Sequence, residues 1–310
     1  MATGSSEASG TWLALSRKFA TVVERAGRLV VAVHARPRMP SSGVHWRLGV
    51  IVTAEHTVKR DEEITIGLPD GRTMPAVLAG RDPSTDLAVL TLQGAELPTV
   101  EVGDGDSFKV GHLVLAVARS GERGLSASWG IISARGGPWR TWHGGQIDQF
   151  IRLDLTLYPG FSGGALVDAQ GGVVGINTAG PRGMALTIPA STVNRVIGHL
   201  LARGRIVRGY LGVGMQPVRL PEPLKQGLNL PGSSGLIIVT VEPGSPADQA
   251  GMLMGDVLVA LDHVPVGDSA DVQALLGPER VGQTISATIV RAGQLAERPI
   301  TVGERPRRGR

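Results

Sequence analysis

At 310 residues, with 42% hydrophobic and 19% charged side chains, the chain is too long for one ordinary core, suits two globular domains and is not a disordered polyelectrolyte. Its net charge of +4 rests on arginine, with lysine only at Lys18, Lys59, Lys109 and Lys225; the arginines are dispersed and not interleaved with aromatics, which argues against nucleic-acid binding. With no cysteine there are no disulfides or thiolate metal sites, and no apolar run approaches the roughly 20 residues that span a bilayer.

In chain order, Met1–Gly10 is small and polar and reads as disordered. It lacks a basic stretch leading into an apolar one, so the expectation is a cytoplasmic chain, or one of the cell envelope or periplasm if a leader was removed. From Thr11 to Val33, apolar Leu13, Leu15, Phe19, Val22 and Val23 lie at helical spacing, running into a strand at Leu29–His34. Pro37, Pro40, Ser41 and Ser42 break that pattern. Short β-rich runs follow at Leu48–Val52, Ile64–Leu68, Ala76–Leu78, Leu87–Leu92, His112–Ala118, Gly130–Ser133, Ile151–Leu155 and Val173–Asn177, a pattern of sandwiches and barrels. A helix is expected from Pro189 to Arg203, stopped by Gly204. Strand signals recur at Leu211–Met215, Leu236–Val241, Val257–Leu261 and Ile285–Arg291, with short helices at Pro246–Ala250 and Ser269–Leu276, the second capped by Asp268. The resulting plan is a flexible or docking segment (1–18), a first domain (19–203), a linker (204–208), a second domain (209–303) and a basic tail (304–310).

A serine nucleophile needs a base within reach, an acid that orients the base, and N–H groups aimed at the developing oxyanion. Pro159-Gly160-Phe161-Ser162-Gly163-Gly164 supplies the serine candidate: Gly160 allows a turn presenting the N–H groups of Gly160 and Ser162 together, and Gly163 and Gly164 leave room beside the hydroxyl. The base candidate is His56, which an apolar strand delivers into a turn; His34, His45, His112, His143, His199 and His263 read as structural or solvated. Asp86, directly before the Leu87–Leu92 strand, is the preferred acid, with Asp82 its competitor.

Together, the Thr53-Ala54-Glu55-His56, Thr85-Asp86-Leu87-Ala88-Val89-Leu90 and Gly160-Phe161-Ser162-Gly163-Gly164 segments resemble the histidine, aspartate and nucleophile motifs of the bacterial HtrA family of trypsin-like serine proteases, in the order His, Asp, Ser. The resemblance implies a mainly β fold, a chymotrypsin-like double β-barrel followed by a small α+β PDZ domain. It also implies a catalytic triad of His56, Asp86 and Ser162, and an oxyanion hole from the amides of Gly160 and Ser162, with the Phe161 amide a further candidate.

In that fold Ala185, Leu186 and Thr187 line the specificity pocket; nothing acidic stands out there, so cleavage after small or medium apolar residues is expected. Arg208-Gly209-Tyr210-Leu211-Gly212-Val213 resembles a PDZ carboxylate loop and first strand. Tyr210, Leu211, Gly212 and Val213 would bind a peptide C-terminus against Val272 and Leu275. The implied function is ATP-independent cleavage of unfolded or damaged protein in protein quality control. The alternative is a catalytically weak chaperone or PDZ scaffold. The family implies a homotrimer joined through N-terminal apolar side chains such as Trp12 and Phe19. No cofactor or metal is expected, the partners being unfolded protein or peptide substrates and peptide C-termini.

Overall fold

The structure, a computed structural model, describes residues 4–103, 108–120, 124–141, 144–180, 183–206 and 209–304, with the side chains of 4–9 left aside. His143, Arg208 and the basic residues of the 305–310 tail lie outside the described residues. The chain divides into two compact units, Met1–Ile206 and Val207–Arg310.

Helix α1 (Gly4–Gly27) opens the first unit as one continuous helix and takes in residues from Gly4 to Gly10, which the sequence reads as disordered. Its C-terminal turns supply the reason: Val22 and Ala26 are buried with Leu29 and Val30, and that packing propagates a helix the small polar N-terminal sequence would not start alone.

Strands β1 (Val30–His34), β2 (Ser41–Arg47), β3 (Val50–Ala54), β4 (Ile64–Gly67), β5 (Thr73–Asp82) and β6 (Leu87–Thr91) close a barrel in the order β1-β2-β3-β6-β5-β4. A second barrel uses β7 (Leu113–Arg119) and β8 (Leu125–Gly136), then, past a small hairpin of β9 (Trp139–Arg140) and β10 (Gln146–Ile147), β11 (Phe150–Asp154), β12 (Ala165–Asp168), β13 (Val173–Ala179) and β14 (Ala185–Pro189). Its order is β11-β14-β13-β12-β7-β8, the same winding repeated. This is the double barrel the resemblance implies.

Strands β3 and β6 read as unbroken apolar runs because both of their faces are buried. In β3 and β6, Ile51, Ala88 and Leu90 fill the first barrel, while Val52, Leu87 and Val89 face a core shared with the second barrel and helix α2 (Ala190–Arg203). Each buried Val, Leu or Ile among them contributes about 1.5–3 kcal/mol. Strand β2 falls where the prolines and serines suggested a break: Ser41 and Ser42 are fully buried.

The second unit pairs β15 (Gly209–Tyr210) with β22 (Gly303–Glu304). It builds a sheet in the order β16 (Val213–Arg219), β17 (Ser234–Val241), β18 (Val257–Leu261), β20 (Thr284–Arg291) and β21 (Gln294–Thr301), with β19 (Val264–Pro265) added beside β18. Helices α3 (Glu222–Gly227), α4 (Pro246–Gln249) and α5 (Ser269–Leu275) complete it. Asp268 and Asp271 form a reciprocal capping box at the start of α5. Helix α3 and strand β21 were not foreseen.

Candidate active site

His56 sits on a 3₁₀ turn (Glu55–Thr57) directly after β3, and Asp86 ends the turn between β5 and β6. Strand pairing of Ala54 with Leu87 puts the two beside each other. The Asp86 carboxylate accepts from the His56 ring, Nδ1 to Oδ2 at 2.8 Å and to Oδ1 at 3.0 Å, and from the His56 backbone N–H at 2.8 Å. The Glu55 N–H donates to the Asp86 carbonyl. Asp86 is held at φ +57°, a conformation that L residues rarely adopt and that surrounding contacts must impose. The competitor Asp82 is buried and committed elsewhere: Ser84 donates to it from N and Oγ, and Thr85 from Oγ1.

Ser162 is half-buried on the loop before β12. Its carbonyl accepts from the Ser42 N–H, and the next residue, Gly163 (φ +88°), donates to the Asn177 carbonyl. A Cβ on Gly163 would lie 2.1 Å from the Ser42 carbonyl oxygen and 3.0 Å from the Ala54 nitrogen, so glycine is what lets the loop press against the end of β3, two residues before His56. Among the described residues no hydrogen bond joins Ser162 Oγ to His56, a contact that in this chemistry often tightens only as substrate docks.

The Tyr158–Phe161 turn carries Gly160 at φ +93°. The Phe161 N–H donates to the Tyr158 carbonyl at 2.9 Å, and the Phe161 ring is buried in the second barrel. The Phe161 amide, the further oxyanion candidate, is thus engaged inside the turn. The N–H groups of Gly160 and Ser162 donate to no acceptor among the described residues.

Two positions escaped sequence reasoning. Thr178, on β13, donates its hydroxyl to Asp86 Oδ2; a lone threonine in an apolar strand gives no signal of that. Ser42 donates to the Gly160 carbonyl at 2.7 Å and accepts from the Arg119 N–H at 2.9 Å, tying the candidate oxyanion turn to β2.

Ala185, Leu186 and Thr187 are buried on β14; Ala185 belongs to the cluster holding Phe161, and Thr187 donates to the Asn177 side chain. In the second unit β16 is an edge strand of its sheet, and the N–H groups of Leu211 and Gly212 donate to no acceptor among the described residues. Gly212 is irreplaceable on steric grounds, since a Cβ there would lie 2.1 Å from the Ser245 Cβ. The Tyr210 hydroxyl donates to Glu242. Val213 and Leu275 pack half-buried against the core that contains Leu211 and Val272.

Burial pushes the Glu55 carboxyl above its ordinary value of 4.5; Arg81, 3.3 Å away, and Lys59 oppose the rise, and Asp86 adds to it. A carboxyl raised in the folded state costs nothing below its ordinary value and removes stability as pH climbs through the raised one. Glu55→Gln is therefore expected to flatten a fall in stability that sets in as pH rises above the ordinary carboxylate value. All five tryptophans lie in the first unit, so their fluorescence during urea unfolding reads that unit alone. Parallel pH curves for parent and variant would contradict this.

Residues 41–176 match the family model described as trypsin-like peptidase domain, and residues 209–302 the PDZ domain model. A protein of Ectopseudomonas mendocina described as "Probable periplasmic serine endoprotease DegP-like" is 34% identical over 84% of this chain and 55% of its own length. A Chlamydia pneumoniae protein of the same description is 34% identical over 84% of this chain and 54% of its own. The chain thus spans about half the length of these curated relatives. Among solved structures, "HtrA-type protease AlgW with decapeptide" superposes with a TM-score of 0.75 at 30% identity, covering 93% of this chain and 99% of that one. The serine endoprotease from Yersinia pestis gives 0.76 at 31%, covering 92% and 97%. Two closed barrels of one winding, a histidine–aspartate pair beside a glycine-flanked serine, and a second unit matching a PDZ domain agree with these likenesses, and the chain belongs to the HtrA-type trypsin-like serine proteases with one PDZ domain.

Proposed function

We propose that the protein is a serine endopeptidase that cleaves unfolded or damaged protein without ATP. The observation that carries this is the Asp86 carboxylate engaging ring and backbone of His56 and the hydroxyl of Thr178, with the amides of Gly160 and Ser162, which meet no acceptor among the described residues, beside the serine hydroxyl. In this reading His56 Nε2 takes the Ser162 proton as Oγ attacks a peptide carbonyl. The Gly160 and Ser162 N–H groups bind the oxyanion, and His56 then returns the proton to the leaving amine. Asp86 keeps the Nδ1–H tautomer and stabilises the imidazolium.

Ala185 and Leu186, with no acidic neighbour on β14, support cleavage after small or medium apolar residues. The edge strand β16 and the amides of Leu211 and Gly212 support capture of a peptide C-terminus by strand addition, with Val213, Val272 and Leu275 forming the apolar wall. The AlgW structures described with a decapeptide and a tripeptide fit that reading. The relatives' description as periplasmic favours the cell envelope over the cytoplasm, a placement that cell fractionation would test. No helix among the described residues is long and apolar enough to cross a membrane. We place homotrimer contacts at Trp12 and Leu13, 71% and 52% exposed, and at the Phe19–Trp129 ring pair, whose centroids lie 6.0 Å apart.

One preparation tests these points. A fluorescent serine-directed phosphonate should label Ser162, faster when a peptide with an apolar C-terminal residue is present, and light scattering should give a three-chain mass. No labelling with or without peptide would leave the non-catalytic binding scaffold as the better reading; a monomer would remove the trimer.

A further inference from the structure

We propose that the β9–β10 hairpin positions the catalytic carboxylate, with Thr141 and Gly145 holding the Ser84 carbonyl and so setting the turn that carries Asp86. The inference rests on the proposed catalytic role of Asp86 and adds positioning residues from the hairpin inserted between β8 and β11 of the second barrel.

Thr141 Oγ1 lies 2.6 Å from the Ser84 carbonyl oxygen and 3.1 Å from the Gly145 nitrogen. The Gly145 N–H can only donate, so the hydroxyl accepts from it and its single proton goes to Ser84. The Thr141 N–H in turn donates to the Gly145 carbonyl at 2.9 Å, which closes the hairpin end around that hydroxyl.

Gly145 reinforces the contact sterically. A Cβ there would sit 2.2 Å from the Ser84 carbonyl oxygen and 2.4 Å from its carbon, so a side chain at this position would drive the two segments apart. The hairpin has its own anchor: Trp139 meets Phe150 edge-on at 5.6 Å, and Ile147 is buried in the core shared by the barrels.

From the other side, buried Asp82 takes the Ser84 N–H and the hydroxyls of Ser84 and Thr85. The turn is thus gripped by β5 through Asp82 and by the hairpin through the Ser84 carbonyl, and the residue that emerges from this double grip is Asp86 at φ +57°. A left-handed non-glycine residue persists only where its surroundings over-determine it. With one grip released, the turn can relax toward an ordinary conformation, swinging the carboxylate off His56 while leaving the barrels packed.

Thr141→Val removes the hydroxyl at nearly constant volume. The expected result is a fall in kcat per titrated active site of about tenfold, the worth of one well-made hydrogen bond, with KM within about twofold of the parent. Thr141→Ser should restore kcat, and Gly145→Ala should lose more than Thr141→Val. A merely structural role would instead lower the melting temperature and the fraction of titratable sites, leaving kcat per site at the parent value; that result, or a loss that serine does not restore, overturns the proposal. Ser162→Ala, measured alongside, separates the two readings. If that variant stays active the triad assignment fails, whereas if it is inactive while Thr141→Val matches the parent only the hairpin inference fails.

Discussion

Ser162→Ala is expected to lower turnover of an unfolded substrate such as casein by about 10⁴–10⁶-fold, the range seen when such a nucleophile is removed from unrelated scaffolds. The loss should be chemical and not conformational. Everything that fixes this loop is backbone or belongs to other residues: the Ser162 carbonyl takes the Ser42 N–H, Gly163 donates to Asn177, and the Gly160 carbonyl takes the Ser42 hydroxyl. Deleting one half-buried oxygen leaves these in place, so the unfolding transition should stay put. The amides of Gly160 and Ser162 remain as oxyanion donors, so a small residual rate above water is expected, with KM little changed. The variant should also lose phosphonate labelling. Parent-rate casein cleavage, or undiminished labelling of another residue, would show that the nucleophile lies elsewhere.

What could be read from the residues divides along physical lines. The His56, Asp86 and Ser162 neighbourhoods are short segments in which strand, turn and glycine requirements are all local, so sequence alone points to them. Barrel strands such as β3 and β6 were visible because burial on both faces makes them continuously apolar. Strand β2 was hidden, since Ser41 and Ser42 look like loop residues; Ser42 is stabilised inside by Gly160 and Arg119, far away in the chain. Thr178 was hidden for the same reason, its partner lying 92 residues earlier. The engagement of the Phe161 amide was hidden because it depends on a turn hydrogen bond to Tyr158, which geometry decides and residue type does not. The opening helix was legible from Thr11 onward, but its turns before Thr11 were not, because the packing of Val22 and Ala26 outweighs the weak propensity of those first turns.

Asp86→Asn is expected to lower kcat by about 10⁴-fold while leaving the fold intact, as the same exchange does in a protease of this chemistry on another chain. The hydrogen bonds around the carboxylate explain why an isosteric change would be so costly. Oδ1 faces the backbone N–H of His56, which can only donate, so the amide oxygen of asparagine must take that place. The NH₂ group then falls where Oδ2 stood, facing Nδ1 of His56 and the Thr178 hydroxyl. The hydroxyl can rotate and accept. The ring has no such freedom: with an N–H aimed at Nδ1, imidazole must carry its proton on Nε2, the nitrogen assigned to receive the Ser162 proton. The base is present, correctly placed and in the wrong tautomer. KM should change little, because nothing that would hold the peptide has moved, and the urea unfolding midpoint read by tryptophan fluorescence should match the parent's. A loss of less than about tenfold would mean that the carboxylate braces the His56 turn and does not govern its protonation.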